Sequence, residues 1–274
     1  MTNGPVATAL GTDIATIPNP FSFVMTRRRF YAPPEALDKG FITLAAEEAR
    51  HLRDVLRLKA GDEAFVFDGE GVEYACVITE IGRGKTPARL EVREKVAPPS
   101  PESRLVLTLA VALLKGEKFD LVVQKATELG VTRMIPVTTA RADVRLRDGS
   151  DAARRVTRWQ RLALEACKQS GRARVPVIDA PTPLSTLLET ERSEDARVMF
   201  AERMGRGIDE AFGETKPASL IALVGPEGGW EDDEIAQAVS AGWKIVTLGG
   251  RTLRAETAAI AVTALLQHTF GDFK

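Results

Sequence analysis

The chain has 274 residues, 44% of them hydrophobic and 27% charged, with a formal net charge of −1. That length is ample for two domains and a substantial core, and no apolar run reaches the roughly 18 residues a membrane span needs. Two distant cysteines, Cys76 and Cys167, and two histidines, His51 and His268, match no zinc spacing, so no metal site is expected and the chain reads as reduced and cytoplasmic.

Residues 1–25 contain no Lys or Arg, and Arg27, Arg28 and Arg29 then arrive together. A signal peptide opens on basic residues before its apolar stretch, so this segment is expected to be a disordered extension, with the fold starting near Met25. Between Glu47 and Leu58, apolar Ala49, Leu52, Val55 and Leu56 recur at helical spacing among charges, which predicts one helix. Ala64-Phe65-Val66-Phe67, the turn residues Asp68-Gly69-Glu70-Gly71 and Tyr74-Ala75-Cys76-Val77-Ile78 form a hairpin signature. Residues 26–97 as a whole fit a small β-barrel. Ala97-Pro98-Pro99-Ser100-Pro101 has three prolines in five residues, so 98–101 reads as an extended linker.

In residues 102–274 strands and helices alternate. Strands are predicted at Leu105 to Leu114, Thr132 to Val137, Ala196 to Ala201, Ser219 to Val224 and Trp243 to Leu248. Helices are predicted at Lys118 to Gly130, Asp151 to Ser170, Glu231 to Ala241 and Ala255 to Phe270. Such alternation argues for an α/β domain with a mostly parallel sheet covered by helices. Charge is uneven: Arg133 to Arg174 holds eleven Lys/Arg against four Asp/Glu, whereas Val175 to the end holds nine against sixteen. A basic surface for a polyanion is one reading, and an arginine-rich solvated helix face is the other.

Gly225-Pro226-Glu227-Gly228-Gly229-Trp230 and Leu248-Gly249-Gly250-Arg251-Thr252-Leu253-Arg254-Ala255-Glu256-Thr257-Ala258 each follow a predicted strand and precede a predicted helix. Open α/β sheets present backbone amides and carbonyls to ligands at such turns, so two walls of one pocket are expected. An ordinary βα turn is the competing reading of the first. The acids Glu231, Asp232, Asp233 and Glu234 follow it and would repel a pyrophosphate. After the second, Ala255, Ala258, Ala259 and Ala261 permit close packing against a ligand, an interface or a chain crossing. Gly84-Lys85-Thr86 lacks the first glycine of a P-loop, and there is no GxGxxG or GxSxG, which disfavours nicotinamide and serine-hydrolase chemistry.

The phrases GPEGGW and LGGRTLRAETAA resemble the cofactor segments of the RsmE family, 16S ribosomal RNA uridine N3-methyltransferases of the SPOUT class that use S-adenosylmethionine. Lys115-Gly116-Glu117-Lys118, Gln124-Lys125-Ala126-Thr127-Glu128-Leu129-Gly130 and Glu165-Ala166-Cys167-Lys168-Gln169-Ser170-Gly171-Arg172 resemble further segments of that family. Arg29-Phe30-Tyr31 and His51-Leu52-Arg53-Asp54-Val55-Leu56-Arg57 resemble the start and helix of its N-terminal PUA-like domain. The likeness spans about residues 27–273. It departs at the 25-residue extension and at Glu231, where a small helix-capping residue is expected.

The resemblance implies a C-terminal SPOUT-type parallel sheet with a trefoil knot, a small N-terminal PUA-like β-barrel, and a homodimer acting on 16S rRNA or the small ribosomal subunit, with no membrane partner. It implies S-adenosyl-L-methionine held by Phe200, Ala201, Glu202, Val224, Gly225, Pro226, Glu227, Gly228, Gly229, Leu248, Gly249, Leu253, Arg254, Ala255, Thr257 and Ala258. A SPOUT-fold RNA-binding or ribosome-assembly protein without catalysis is the alternative. The presence of Gly225, Gly228, Gly229, Gly249 and Arg254 favours the enzyme.

Uridine N3 carries a proton, so charge developing on N3, O2 and O4 calls for a base or a cationic stabiliser. Arg254 is the expected stabiliser. Glu256 and Glu128 are candidate bases, against helix capping for the first and a surface pair with Lys125 for the second. Arg29 and Tyr31 offer charge beside a ring for stacking on bases, and Lys125, Gln169 and Arg172 are expected on the RNA side of the pocket. Arg141, Arg145, Arg147, Arg154, Arg155, Arg158 and Arg161 are candidates for phosphate contact.

Overall fold

The computed structural model describes residues 27–273 apart from 83, 85, 145, 192 and 193. The extension expected over residues 1–25 therefore lies outside the described residues, as do Lys85 and Arg145. Strands Arg29–Tyr31 (β1), Leu37–Asp38 (β2), Phe41–Leu44 (β3), Glu63–Phe67 (β4), Glu73–Ile81 (β5) and Ala88–Val96 (β6) form one sheet in the order β1-β4-β5-β6-β3-β2. β1 and β4 run parallel and the other neighbours antiparallel, and the sheet curls around Phe30, Ile42, Leu44, Leu52, Val66, Ile78 and Leu90. The expected hairpin is β4 and β5, and the Asp68 carboxylate fixes its turn by accepting from the Glu70 and Val72 amides at 2.7 and 3.0 Å.

The helix expected from Glu47 to Leu58 is split. It is α-helical over Ala46–Arg50 (α1) and widens to a π-helical turn over His51–Val55. In a regular α-helix, residues six apart point about 120° away from each other. The wider turn, in which the Leu56 amide reaches the His51 carbonyl at 3.0 Å, brings Leu52 and Leu58 into one core.

The second sheet contains Val106–Ala112 (β7), Arg133–Thr138 (β8), Val177–Ile178 (β9), Thr182–Pro183 (β10), Ala196–Phe200 (β11), Ser219–Val224 (β12) and Lys244–Val246 (β13). All its pairings are parallel, in the order β10-β8-β7-β12-β11-β13, with β9 also on β8. Its helices are Lys118–Glu128 (α2), Gly149–Ser170 (α3), Leu184–Thr190 (α4), Ile208–Phe212 (α5), Asp232–Ser240 (α6) and Ala255–Phe270 (α7).

Strand residues alternate between two cores. Leu107, Leu109, Val111, Leu220, Ala222, Val224, Val198 and Phe200 pack with α2, α3, α5 and α7. Ala110, Ile221, Leu223 and Met199 pack with α4 and α6 on the opposite face. Burial on both faces is why β7 and β12 read as apolar runs interrupted only by Thr108 and Ser219. α3 is bounded chemically: the Asp148 carboxylate accepts from the Asp151 amide at 2.9 Å, and Gly171, at φ +83°, ends the helix.

Candidate functional site

β7 lies in the middle of its sheet. The chain leaves it outward to β8 and returns later to β11 and β12 on the other side, so strand order reverses between β7 and β12. Ligands of open parallel sheets bind at the carboxyl ends of the strands at such a reversal. Both glycine turns lie there, one leaving β12 and one leaving β13.

The first turn is held by Trp230. Its ring is 1% exposed, and its Nε1 donates to the Phe200 carbonyl at 2.9 Å, so the end of β11 is tied to the turn leaving β12. A side chain at Gly225 would bring a Cβ within 2.8 Å of that indole. The glycine is therefore required by close approach. The Ala201 amide donates to the Val246 carbonyl at 2.9 Å, which adds the end of β13 to the same cluster. Behind the turn, the Glu234 carboxylate accepts from the Ala140 and Glu231 amides at 2.9 and 3.0 Å. Glu231, out of place in the sequence pattern, forms a reciprocal capping box with Glu234 at the start of α6.

The second turn is open. Gly249 and Gly250 have φ of +70° and +74°, and a Cβ built on either meets no atom within 4 Å. Lys118, at the start of α2, spans the two turns: its Nζ donates to Glu227 Oε1 at 2.9 Å and lies 4.0 Å from Glu256 Oε2. The hydrogen bond it donates to Glu227 is the largest influence holding the Lys118 ammonium above its ordinary pKa. Arg254 is the N-cap of α7, with its carbonyl accepting from the Ala258 amide at 2.8 Å and its side chain exposed. Sequence reasoning missed Lys118 as a site residue, although it sits in a segment that carried the family resemblance.

Two buried polar atoms beside these turns, Thr247 Oγ1 and Glu256 Oε2, lack a hydrogen-bond partner among the described residues. Unsatisfied buried acceptors next to an open, glycine-lined surface are what a polar ligand would complete. The acids Glu202, Glu227 and Glu256 suit a cationic sulfonium and amine, and the exposed glycine backbone suits an adenine edge. Those residues therefore fit S-adenosylmethionine. A groove of about 470 Å³ between α4 and α6, lined by Ser185, Leu188, Asp233 and Gln237 among others, includes no residue of either glycine turn.

The RNA methyltransferase domain family matches residues 101–267, and the RNA methyltransferase PUA domain family matches residues 44–86. A ribosomal RNA small subunit methyltransferase E from Synechocystis is 32% identical over 94% of this chain and 84% of its own length. The chain belongs to the RsmE family. A Rickettsia conorii member is 30% identical over 88% of this chain and 95% of its own. The Neisseria gonorrhoeae enzyme, crystallised bound to S-adenosyl methionine, shares the fold at a TM-score of 0.80 and 34% identity, covering 90% of this chain and 100% of that one. A Legionella pneumophila methyltransferase in complex with bound SAM aligns at a TM-score of 0.81 and 29% identity, covering 90% and 99%.

For this RsmE-family chain, the cofactor residues expected from sequence fall on the three strand ends and the start of α7. Of those expected on the RNA side, Arg29, Tyr31, Gln169 and Arg172 fall elsewhere, around the junction of the two sheets, and Lys125 lies on α2. Glu128 ends α2, ten residues from Lys118 and so about 15 Å along the helix. It is paired with Lys125 at 2.9 Å, the surface pair of its competing reading, and within one chain its reading as a base is corrected. Arg172 is 3% exposed and donates to Glu102 and to the Thr127 and Val131 carbonyls. The Arg29 side chain, 5% exposed, is likewise consumed inside the protein. Neither guanidinium has a free face for RNA, which corrects both expectations. Tyr31 packs on Phe67 at 5.6 Å, and burial, followed by the charges of Glu35, Asp68 and Glu70, pushes its hydroxyl up in pKa. Acids around that ring disfavour a phosphate there. Gln169 is exposed at the end of α3.

Proposed function

We propose that this chain transfers a methyl group from S-adenosylmethionine to N3 of a uridine in 16S ribosomal RNA. The observation that carries the reading is the convergence of two glycine turns, two unsatisfied buried acceptors and the Lys118–Glu227–Glu256 cluster at one reversal of strand order. Membership in the RsmE family and the cofactor bound in its relatives support it.

When bound, S-adenosylmethionine supplies a methyl group activated on a sulfonium. Everything else falls to the chain. The Gly225–Gly229 turn, braced by Trp230, and the open Gly249–Gly250 backbone shape the two walls that orient the cofactor. Glu256 stands at the start of α7, 4.0 Å from Lys118, and we assign it as acceptor of the N3 proton. Arg254, exposed two residues earlier, offsets the charge developing on the uracil oxygens. Lys118 holds the two turns together through Glu227 of the first and Glu256 beside the second.

We also propose residues 26–97 as the PUA-like RNA-binding domain, 98–101 as the linker and 102–274 as the methyltransferase domain. We further propose a cytoplasmic homodimer that pairs through α2 and α7. Exposed Leu121 and Leu265 on those packed helices support that surface. Among the described residues no helix is long and apolar enough to cross a membrane.

The test is transfer of a labelled methyl group to 16S rRNA and to small subunits, with the product nucleoside identified by mass. Labelled N3-methyluridine is expected, with Glu256→Gln and Arg254→Ala each slowed by about 10²-fold or more. Cofactor binding without transfer to any RNA would sink the enzymatic reading.

A further inference from the structure

The two sheets meet at the C-terminal end of α3, and the seam is held by buried charge as well as apolar contact. Arg29 of β1 pairs with Glu73 of β5 at 2.8 Å, and the two side chains are 5% and 0% exposed. The remaining guanidinium donors cross to the other sheet's side. Nη1 donates to the Cys167 carbonyl and Nη2 to the Arg172 carbonyl, both at 2.9 Å. Nη1 also reaches the Lys168 carbonyl at 3.3 Å; both residues lie in the last turn of α3, where the Cys167 carbonyl takes the Gly171 amide at 3.1 Å and the carbonyls beyond it have no partner within the helix. Arg29 is thus a C-cap supplied from another domain, its charge matched to the negative end of the helix dipole.

One step further, Arg172 repeats the device. Its Nη1 donates to the Thr127 and Val131 carbonyls at 2.6 and 3.0 Å, capping α2. Backbone bonds reinforce the seam, with the Val175 amide on the Gly69 carbonyl at 2.9 Å and the Gly71 amide on the Ala173 carbonyl at 3.1 Å. Stability alone does not require a buried ion pair here, because well-packed apolar residues often serve as well or better. An apolar seam tolerates sliding, whereas directional bonds from one planar cation to separate carbonyls fix an angle.

We propose that Arg29, through its pairing with Glu73, is a positioning residue for the RNA substrate. It locks the N-terminal sheet to α3, so that RNA held on that sheet meets the glycine turns at one set distance. The inference rests on the RNA methyl transfer proposed above.

The experiment compares the full-length chain with Glu73→Gln and with the double variant Arg29→Met/Glu73→Leu, which exchanges the buried pair for apolar packing and so preserves folding. Glu73 is buried and anionic, and cannot itself contact RNA. Both variants are expected to lose hydrogen-exchange protection at the Gly71 and Val175 amides, while the β12 amides stay protected. The KM for RNA is expected to rise about tenfold or more, since a loosened seam must be ordered each time RNA binds. The kcat at saturating RNA and the Kd for S-adenosylmethionine should stay within about twofold of wild type, and the salt dependence of RNA affinity should keep its slope. Intact seam protection in the double variant overturns the proposal, as does an unchanged KM after the seam has loosened. A slope reduced by about 0.7–0.9 in the double variant alone would mean that Arg29 contacts a phosphate directly. If wild type binds RNA without methylating it, the proposed function fails, and the RNA affinities of the same variants decide the positioning role. If wild type binds no RNA, both readings fall.

Discussion

Gly225→Ala is the sharpest test of how the first turn is built. The new Cβ would stand 2.8 Å from Trp230 Cε2 and 2.9 Å from its Nε1. The indole has nowhere to go, because it packs with Ile221, Leu223 and Ile235 and its Nε1 is bonded to the Phe200 carbonyl. Overpacking of this kind costs about 1–3 kcal/mol. A shifted ring also strands the Phe200 carbonyl, at about 1–3 kcal/mol. The sum is about 2–6 kcal/mol, or roughly 4–24 °C in Tm for a domain of this size. The assay is urea unfolding of Gly225→Ala, Trp230→Phe and the double variant. Phe fills less space and has no N–H, so the clash and the lost bond are shared rather than added, and a coupling of at least about 1 kcal/mol is expected. Additivity within about 0.5 kcal/mol would refute the account of Gly225 as a contact glycine. It would leave the turn explained by backbone freedom alone.

Other perturbations follow the same reasoning. Glu234→Ala strands the Ala140 and Glu231 amides behind the turn and should cost about 2–4 kcal/mol, measured by urea unfolding, with cofactor affinity falling in parallel. Lys118→Met should leave Tm within about 2 °C, since exposed pairs contribute little, while slowing methyl transfer at least about tenfold in the labelled-methyl assay. Burial pushes the Cys76 thiol up to about 12 and the Cys167 thiol up to about 11 from an ordinary 9.0. The unfolded chain therefore releases these protons first, and stability present below pH 9 should drain away as pH rises toward 11, less steeply in Cys76→Ala and Cys167→Ala. In the native protein neither thiol should react with an aromatic disulfide reagent at pH 8, and both should do so in urea.

The alternating architecture was readable because each long element carries its own pattern. Ser219 to Val224 is apolar from Leu220 onward and Ala255 to Phe270 is bounded by an extended Arg254 and by Gly271, and both appear with the expected limits. Periodicity could not separate an α-turn from the wider turn at His51–Val55, because the choice depends on where Leu58 is buried. The glycine turns stood out from composition and position. Lys118 did not, since a lysine at a helix start looks like any solvated charge until Glu227 and Glu256 are folded against it. Arg29 and Arg172 illustrate the converse. Arginine in a basic stretch suggests phosphate, and only the tertiary structure reveals that carbonyls of two helix ends and the acids Glu73 and Glu102 use those donors instead.

The order of the second sheet also bears on how the protein is made. Its central pair joins Val106 to Ser219, so β7 has to wait for more than a hundred further residues before its neighbour exists. The N-terminal sheet draws on partners between residues 29 and 96 and can close early in synthesis. Closure of the larger domain comes last, when the Ser103 hydroxyl meets Gln267 at 2.7 Å on the final helix. Pairings so distant in sequence are slow to form. A nascent chain would carry a finished small domain well before it carried a binding pocket, with the apolar face of β7 exposed in the interval. Truncation within the final helix should therefore release aggregating chains rather than weakened enzyme.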